Sequence, residues 1–230
     1  AKTKGVITAS FTTSAANAAL LNKANWTTNN SSIGSDVLTI TVSDGLSVQV
    51  FENLDELTNQ SLVLTTGITD SLSALYSGSD LTAGIKAAVA DDSDITIEIN
   101  NTNITGTTDF AKVNALADTA SYAAPGFSGG VKANIKGDIA DLVGTSLNKL
   151  TTADTITFTV DDNPSVDNIN TLSNRTGAAN ITLGGTITDD LYNFIQSGDN
   201  STEETKWATT LSHTTNANVS VNSLGTLRLL

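Results

Sequence analysis

Ile156-Thr157-Phe158-Thr159-Val160-Asp161-Asp162, followed by Val166, Ile169, Leu172 and Thr176, is the stretch that decides how this chain folds. Apolar residues and threonines alternate, the period of a half-buried strand, because successive side chains point to opposite faces of a pleated sheet. Two carboxylates end the run, where turns and helix starts favour Asp. Val166, Ile169 and Leu172 then recur every third residue, which places them on one face of a short helix. The phrase occurs twice more. Leu38-Thr39-Ile40-Thr41-Val42-Ser43-Asp44 leads to Phe51, Leu54 and Thr58, and Ile95-Thr96-Ile97-Glu98-Ile99-Asn100-Asn101 leads to Val113, Leu116 and Ala120.

Outward from these copies the same grammar continues. Residues 6–11 read as a strand, and Ser14 is placed to cap a helix over 15–24. The spacing predicts a helix over 47–58, another over 81–90, and a strand-helix pair at 95–99 and 108–120. A further pair is expected at 131–135 and 138–149, then strand 156–160, helix 165–174 and a strand from Asn180. Ile68-Thr69-Asp70-Ser71-Leu72 and Ile187-Thr188-Asp189-Asp190-Leu191 echo one another and read as helix starts. Residues 25–35 and 197–205 are polar and read as loops. Residues 218–221 and 226–230 are strand candidates in the tail.

A strand followed by a helix favours parallel strands joined by right-handed crossovers. Recurrence after about 55–62 residues points to a repeat architecture, in which one copy covers the apolar face of the next. The expected fold is therefore α/β: a single elongated, solenoid-like stack of strand-helix repeats with a largely parallel sheet. Its repeat pairs would fall near 5–60, 61–122, 123–178 and 179–230.

Composition narrows the function. The chain has 230 residues, 39% hydrophobic and 15% charged, with a formal net charge of −13. That charge repels nucleic acid. No apolar run approaches the roughly 20 residues of a membrane span. Cys is absent, so disulfides and thiolate metal sites are excluded. Met is absent even at position 1, so the sequence reads as a processed product or a piece of a longer polypeptide. Low charge, no Cys and abundant Thr and Asn favour an extracellular, cell-surface or virion-surface setting.

Strands of Ile-Thr-x-Thr-Val-x-Asp type alternating with helices of Asn-x-Leu-x-x-x-Thr type make residues 36–195 resemble the repeats of very long surface proteins of marine cyanobacteria and related bacteria. Tail-fibre proteins of their phages carry similar repeats. The resemblance implies a spacer, adhesion or filament role and brings no functional residues with it.

His213 is the only imidazole, and no Gly-x-Ser-x-Gly elbow accompanies it, so an enzyme is not expected. Asp91, Asp92 and Asp94, and Asp161 and Asp162, are the candidates for a metal. Calcium is the ion their hard oxygens would suit, although capping and turn formation account for Asp at these places and no calcium-loop spacing is present. No phosphate-binding loop is present, so no cofactor is expected. Trp26 and Trp207 fall in polar stretches and are the candidates for stacking on a surface glycan. The apolar run ending in Leu224, Leu227, Leu229 and Leu230 is the candidate assembly contact, with a second copy or with adjacent repeats of a longer chain. Asn-x-Ser/Thr sequences recur, Asn100, Asn103, Asn174 and Asn218 among them, and would matter in a host that glycosylates its surface proteins. Taken together, the residues predict a structural repeat module that spaces or self-assembles. The alternative is a carbohydrate- or receptor-binding module of an adhesin or phage fibre.

Overall fold

A computed structural model describes residues 8–21, 37–58, 60–122, 126–176, 180–194, 201–215 and 217–222. The chain belongs to the α/β class with mostly parallel sheets. It divides into two compact units, Ala1–Asn100 with Asp118–Val131, and Asn101–Ala117 with Lys132–Leu230.

In the first unit, β1 (Thr8–Thr13), β2 (Val37–Val42) and β3 (Val63–Leu64) form a sheet in chain order. β1 and β2 run parallel in register from Thr8↔Val37 to Thr13↔Val42. Alternation does here what the sequence predicts: Leu38, Ile40 and Val42 are buried, and Thr39 between them is exposed. A helix, α1 (Ala15–Ala18), follows β1, and α2 (Val48–Asp55) follows β2. Ser14 and Ser47 cap them by accepting the N–H of Asn17 and Val50. Val48, Phe51 and Leu54 turn the apolar face of α2 inward. Each such buried side chain contributes roughly 1.5–3 kcal/mol.

Ile68–Asp70, expected as the start of a helix, is a strand, β4, pairing parallel with β7 (Ile97–Ile99). The β-branched pair Ile68-Thr69 joins the sheet, and Ser71 takes the capping role by accepting from Ala74 N–H ahead of α3 (Leu72–Leu75). An antiparallel hairpin, β5 (Tyr76–Ser77) and β6 (Asp80–Leu81), leads to α4 (Ala83–Asp91). Gly84 lets α4 approach α2, since a Cβ there would collide with Glu52 and Val48.

In the second unit, β8 (Val131–Gly137), β9 (Thr155–Val160), β10 (Ile181–Leu183) and β12 (Thr214–Thr215) again lie in chain order, all parallel. A second pair, β11 (Ile187–Asp189) with β13 (Val219–Val221), is parallel as well. Here too a stretch expected to start a helix is a strand. The expected helix over 138–149 is broken into α6 (Ile139–Leu142) and a 3-10 turn at Thr145–Leu147, with Gly144 between them. The unit also contains α5 (Thr107–Ala117), α7 (Val166–Ser173), α8 (Leu191–Phe194) and α9 (Ser201–His213). α9 corrects the reading of 197–205 as a loop from Ser201 onward. Among the described residues no helix is long and apolar enough to cross a membrane.

Candidate functional site

The polar groups with the most regular geometry are the carboxylates at strand ends. Asp44, just past β2, accepts from Ala15 N, the first N–H of α1, at 2.6 Å. Asp70, ending β4, accepts from Val48 N at the start of α2 at 3.1 Å. Asp162, just past β9, accepts from Ile139 N of α6 at 2.7 Å. Asp189, ending β11, accepts from Val166 N of α7 at 3.0 Å. In each case the carboxylate that closes one strand caps the helix that follows an earlier strand, 22 to 29 residues back. The first N–H groups of a helix have no partner within it and carry a partial positive charge, so an anion there is stabilising.

A second link recurs with the same regularity. Thr58 Oγ1 donates to Leu38 O at 2.8 Å and accepts from Leu38 N at 3.3 Å. Thr176 Oγ1 donates to Ile156 O. Both threonines are buried, each twenty residues beyond its partner. They are the residues that close the repeated phrase in the sequence, and the hydroxyl-to-carbonyl contact recurs at both places.

Against this frame of links the sequence candidates find their places. Asp91 accepts from Leu62 N at 2.9 Å. Asp92 is hydrogen-bonded to Asp94, and that bond, with burial and the neighbouring charge, holds its carboxyl above the ordinary carboxylate range. Asp161 pairs with Lys136 at 3.2 Å, and Asp162 is one of the helix caps. Asp91, Asp92 and Asp94 belong to the first unit, Asp161 and Asp162 to the second. Among the described residues, no three of His, Cys, Asp and Glu are grouped to hold a metal ion. Trp26 and the assembly candidates Leu224, Leu227, Leu229 and Leu230 lie outside the described residues. Trp207 lies on α9 rather than in a loop, with its side chain outside the described set.

His213 Nδ1 lies 2.9 Å from Thr209 O and 3.0 Å from Ser212 Oγ. Ser212 Oγ donates to the same carbonyl at 2.8 Å. A carbonyl only accepts, so the Nδ1 that meets it carries the proton and is no base toward Ser212 in this arrangement. The imidazole closes the last turn of α9.

A cleft of about 260 Å³ opens between α2 and α4 in the first unit, with Glu52, Asp55 and Glu56 along one wall and Ala83, Gly84 and Ala87 along the other. Burial, then the charges of Asp91 and Glu56, push the Asp55 carboxyl upward. The sequence reading passed over Asp44 and Asp70 as linking residues. For Asp44 the signal was present, an Asp just past the alternating strand Val37–Val42 and 29 residues after a helix start; for Asp70 the three-residue strand it ends gives no such signal. Comparison of the chain with family models, curated proteins and solved structures finds no match.

Proposed function

We propose that this chain is a structural repeat module: a solenoid-like stack of strand-helix copies that acts as a spacer or self-assembling subunit at a cell or virion surface. The observation that carries the reading is the recurring carboxylate link, in which the Asp ending one strand caps the helix after an earlier strand, within a repeat pair at Asp44 and Asp162 and between neighbouring pairs at Asp70 and Asp189. The polar residues that recur with the strand ends are thereby engaged in joining successive strand-helix units. A module of this kind transmits load and sets distance; its side chains need not converge on a substrate. The parallel strands in chain order and the matched threonines Thr58 and Thr176 support the same reading.

Two measurements test it. Antibody labelling of the producing cell or particle, viewed by electron microscopy, is expected to decorate the surface, and label confined to the interior rejects the location. On a glycan array the protein is expected to give only background. Binding that is lost in Trp207→Ala overturns the scaffold reading in favour of a carbohydrate-binding module.

A further inference from the structure

Asn-x-Ser/Thr sequences among the described residues stand at Asn100, Asn103, Asn174, Asn180 and Asn218. They are spelled alike, and the fold separates them. An acceptor for a sugar must present its amide and the hydroxyl two residues on, and must leave room for a bulky group in the folded chain.

Two of the five are closed. Asn174 is exposed, but the hydroxyl of its sequence belongs to Thr176, which is fully buried and donates to Ile156 O. Asn180 is half-buried and its Nδ2 donates to Thr176 Oγ1 at 3.3 Å. The residue after it, Ile181, is fully buried in β10. A sugar on Asn180 would displace that amide bond, and the Thr176 hydroxyl can be reached only by opening the core.

Asn103-Ile104-Thr105 is built the other way. It lies between β7 and α5, where residues 100–103 and 105–106 are exposed and Ile104 is buried. Ile104 forms a parallel bridge with Ile135 of β8. Its N donates to Asn134 O at 2.8 Å, and its O accepts from Lys136 N at 2.9 Å. The bridge holds the centre of the sequence extended, and in extended backbone successive side chains point to opposite sides. Ile104 turns inward, 3% exposed, so Asn103 and Thr105 both turn outward, amide and hydroxyl on one side. All of these residues belong to the second unit. Asn100 and Asn218 head sequences that are exposed throughout; Asn103 heads the one held in place by a buried central residue.

We infer that Asn103 is an N-glycan acceptor. The inference rests on the surface location proposed above, because a chain on its way to a surface is the one that meets a sugar donor. The donor is a sugar carried on a lipid pyrophosphate. The Asn103 amide nitrogen bonds to the anomeric carbon of that sugar, and the bond from this carbon to the pyrophosphate oxygen breaks. The electron pair stays with the leaving pyrophosphate, which also takes the proton the amide gives up, so nothing is oxidised or reduced. Thr105 supplies the hydroxyl that the transferring enzyme reads.

The test is peptide mapping by mass spectrometry of the protein taken from the cell or particle that bears it, with fragmentation that keeps a sugar on its residue. Asn103 is expected to carry a glycan in most copies, and Asn174 and Asn180 to be bare. Thr105→Ala, at an exposed position, leaves Asn103 and the neighbouring Asn100-Asn101-Thr102 in place and is expected to abolish the glycan at Asn103. Thr105→Ser keeps a hydroxyl there and is expected to retain it. A bare Asn103 in wild type, a glycan at Asn103 that survives Thr105→Ala, or glycans on Asn174 or Asn180 in the folded protein overturns the inference. A bare Asn103 in protein that labels the surface leaves the spacer reading standing, whereas label confined to the interior rejects that reading itself, so the two failures are distinguishable.

Discussion

Asp189 is the place to ask whether the strand-end carboxylates hold the copies together. Its Oδ2 accepts from Val166 N at 3.0 Å, while Oδ1 accepts from Asp190 N at 2.9 Å and from Asn193 Nδ2 at 2.6 Å. Asp189→Ala removes all three acceptor contacts and leaves the first N–H of α7 without its cap. Hydrogen bonds to a charged group contribute roughly 1.5–3 kcal/mol each, but water can replace part of this at a half-buried site. Loss of a favourable charge at a helix start adds roughly 0.3–1 kcal/mol. The expected loss is about 2–3 kcal/mol. Asp189→Asn keeps one acceptor oxygen and gives up the charge, so about half that loss is expected. Asp138 supplies the control: it stands at the N-cap of α6, is exposed, and makes no capping bond. Asp138→Ala should change stability by no more than about 0.5 kcal/mol. Urea unfolding reads all three, as a shift of midpoint at unchanged slope. If Asp189→Ala loses no more than Asp138→Ala, the carboxylate link is decoration and the scaffold argument loses its support.

Three further outcomes follow from the same geometry. Thr58→Val, nearly isosteric, strips the Leu38 peptide of both bonds to the hydroxyl and should cost about 1–3 kcal/mol in urea unfolding; Thr176→Val should cost a similar amount if the two copies are equivalent. Gly67 has φ +95° and a Cβ there would strike the backbone of Thr96, so Gly67→Ala should cost about 3 kcal/mol or more, whereas Gly78, at φ +68° with open space around it, carries only left-handed strain of roughly 1–2 kcal/mol in Gly78→Ala; thermal melting separates the two. The raised carboxyl of Asp92 means that the folded chain binds a proton more tightly than the unfolded one. Stability therefore falls as pH rises through the window from the ordinary carboxylate pKa up to the raised one, and Asp92→Asn should be more stable than wild type above that window, by less than about 1 kcal/mol, with the gap closing as pH drops through it; melting curves across acidic pH check the sign.

The strands of the repeated phrase were legible in the sequence. Leu38 to Val42 and Ile156 to Val160 alternate because one face of each is buried, and alternation survives in composition whatever the neighbours are. The helices after them were legible too, since Ser47 and Ser165 are caps with local signatures and Phe51, Leu54, Ile169 and Leu172 keep the helical step. The stretches 68–72 and 187–191 do lead into helices at Leu72 and Leu191, but Ile68–Asp70 and Ile187–Asp189 within them are strands. Three residues carry no period of their own, and only pairing with Ile97–Ile99 and Val219–Val221 makes them strands. The run 138–149 was read as one helix because its apolar spacing is right, and the break at Gly144 follows from the turn the chain takes there.

What the sequence determined alone is therefore the class and the strand-helix alternation, both of which depend on the spacing of neighbouring side chains. The partners were decided by the tertiary structure. That Asp162 caps α6 or Thr176 reaches Ile156 depends on which strand lies beside which, and a carboxylate at a strand end has the same spelling whether it meets a helix, a metal or water. Burial alone distinguishes these cases, because an N–H withdrawn from water must find an acceptor within about 3 Å, and the fold chooses which acceptor is there.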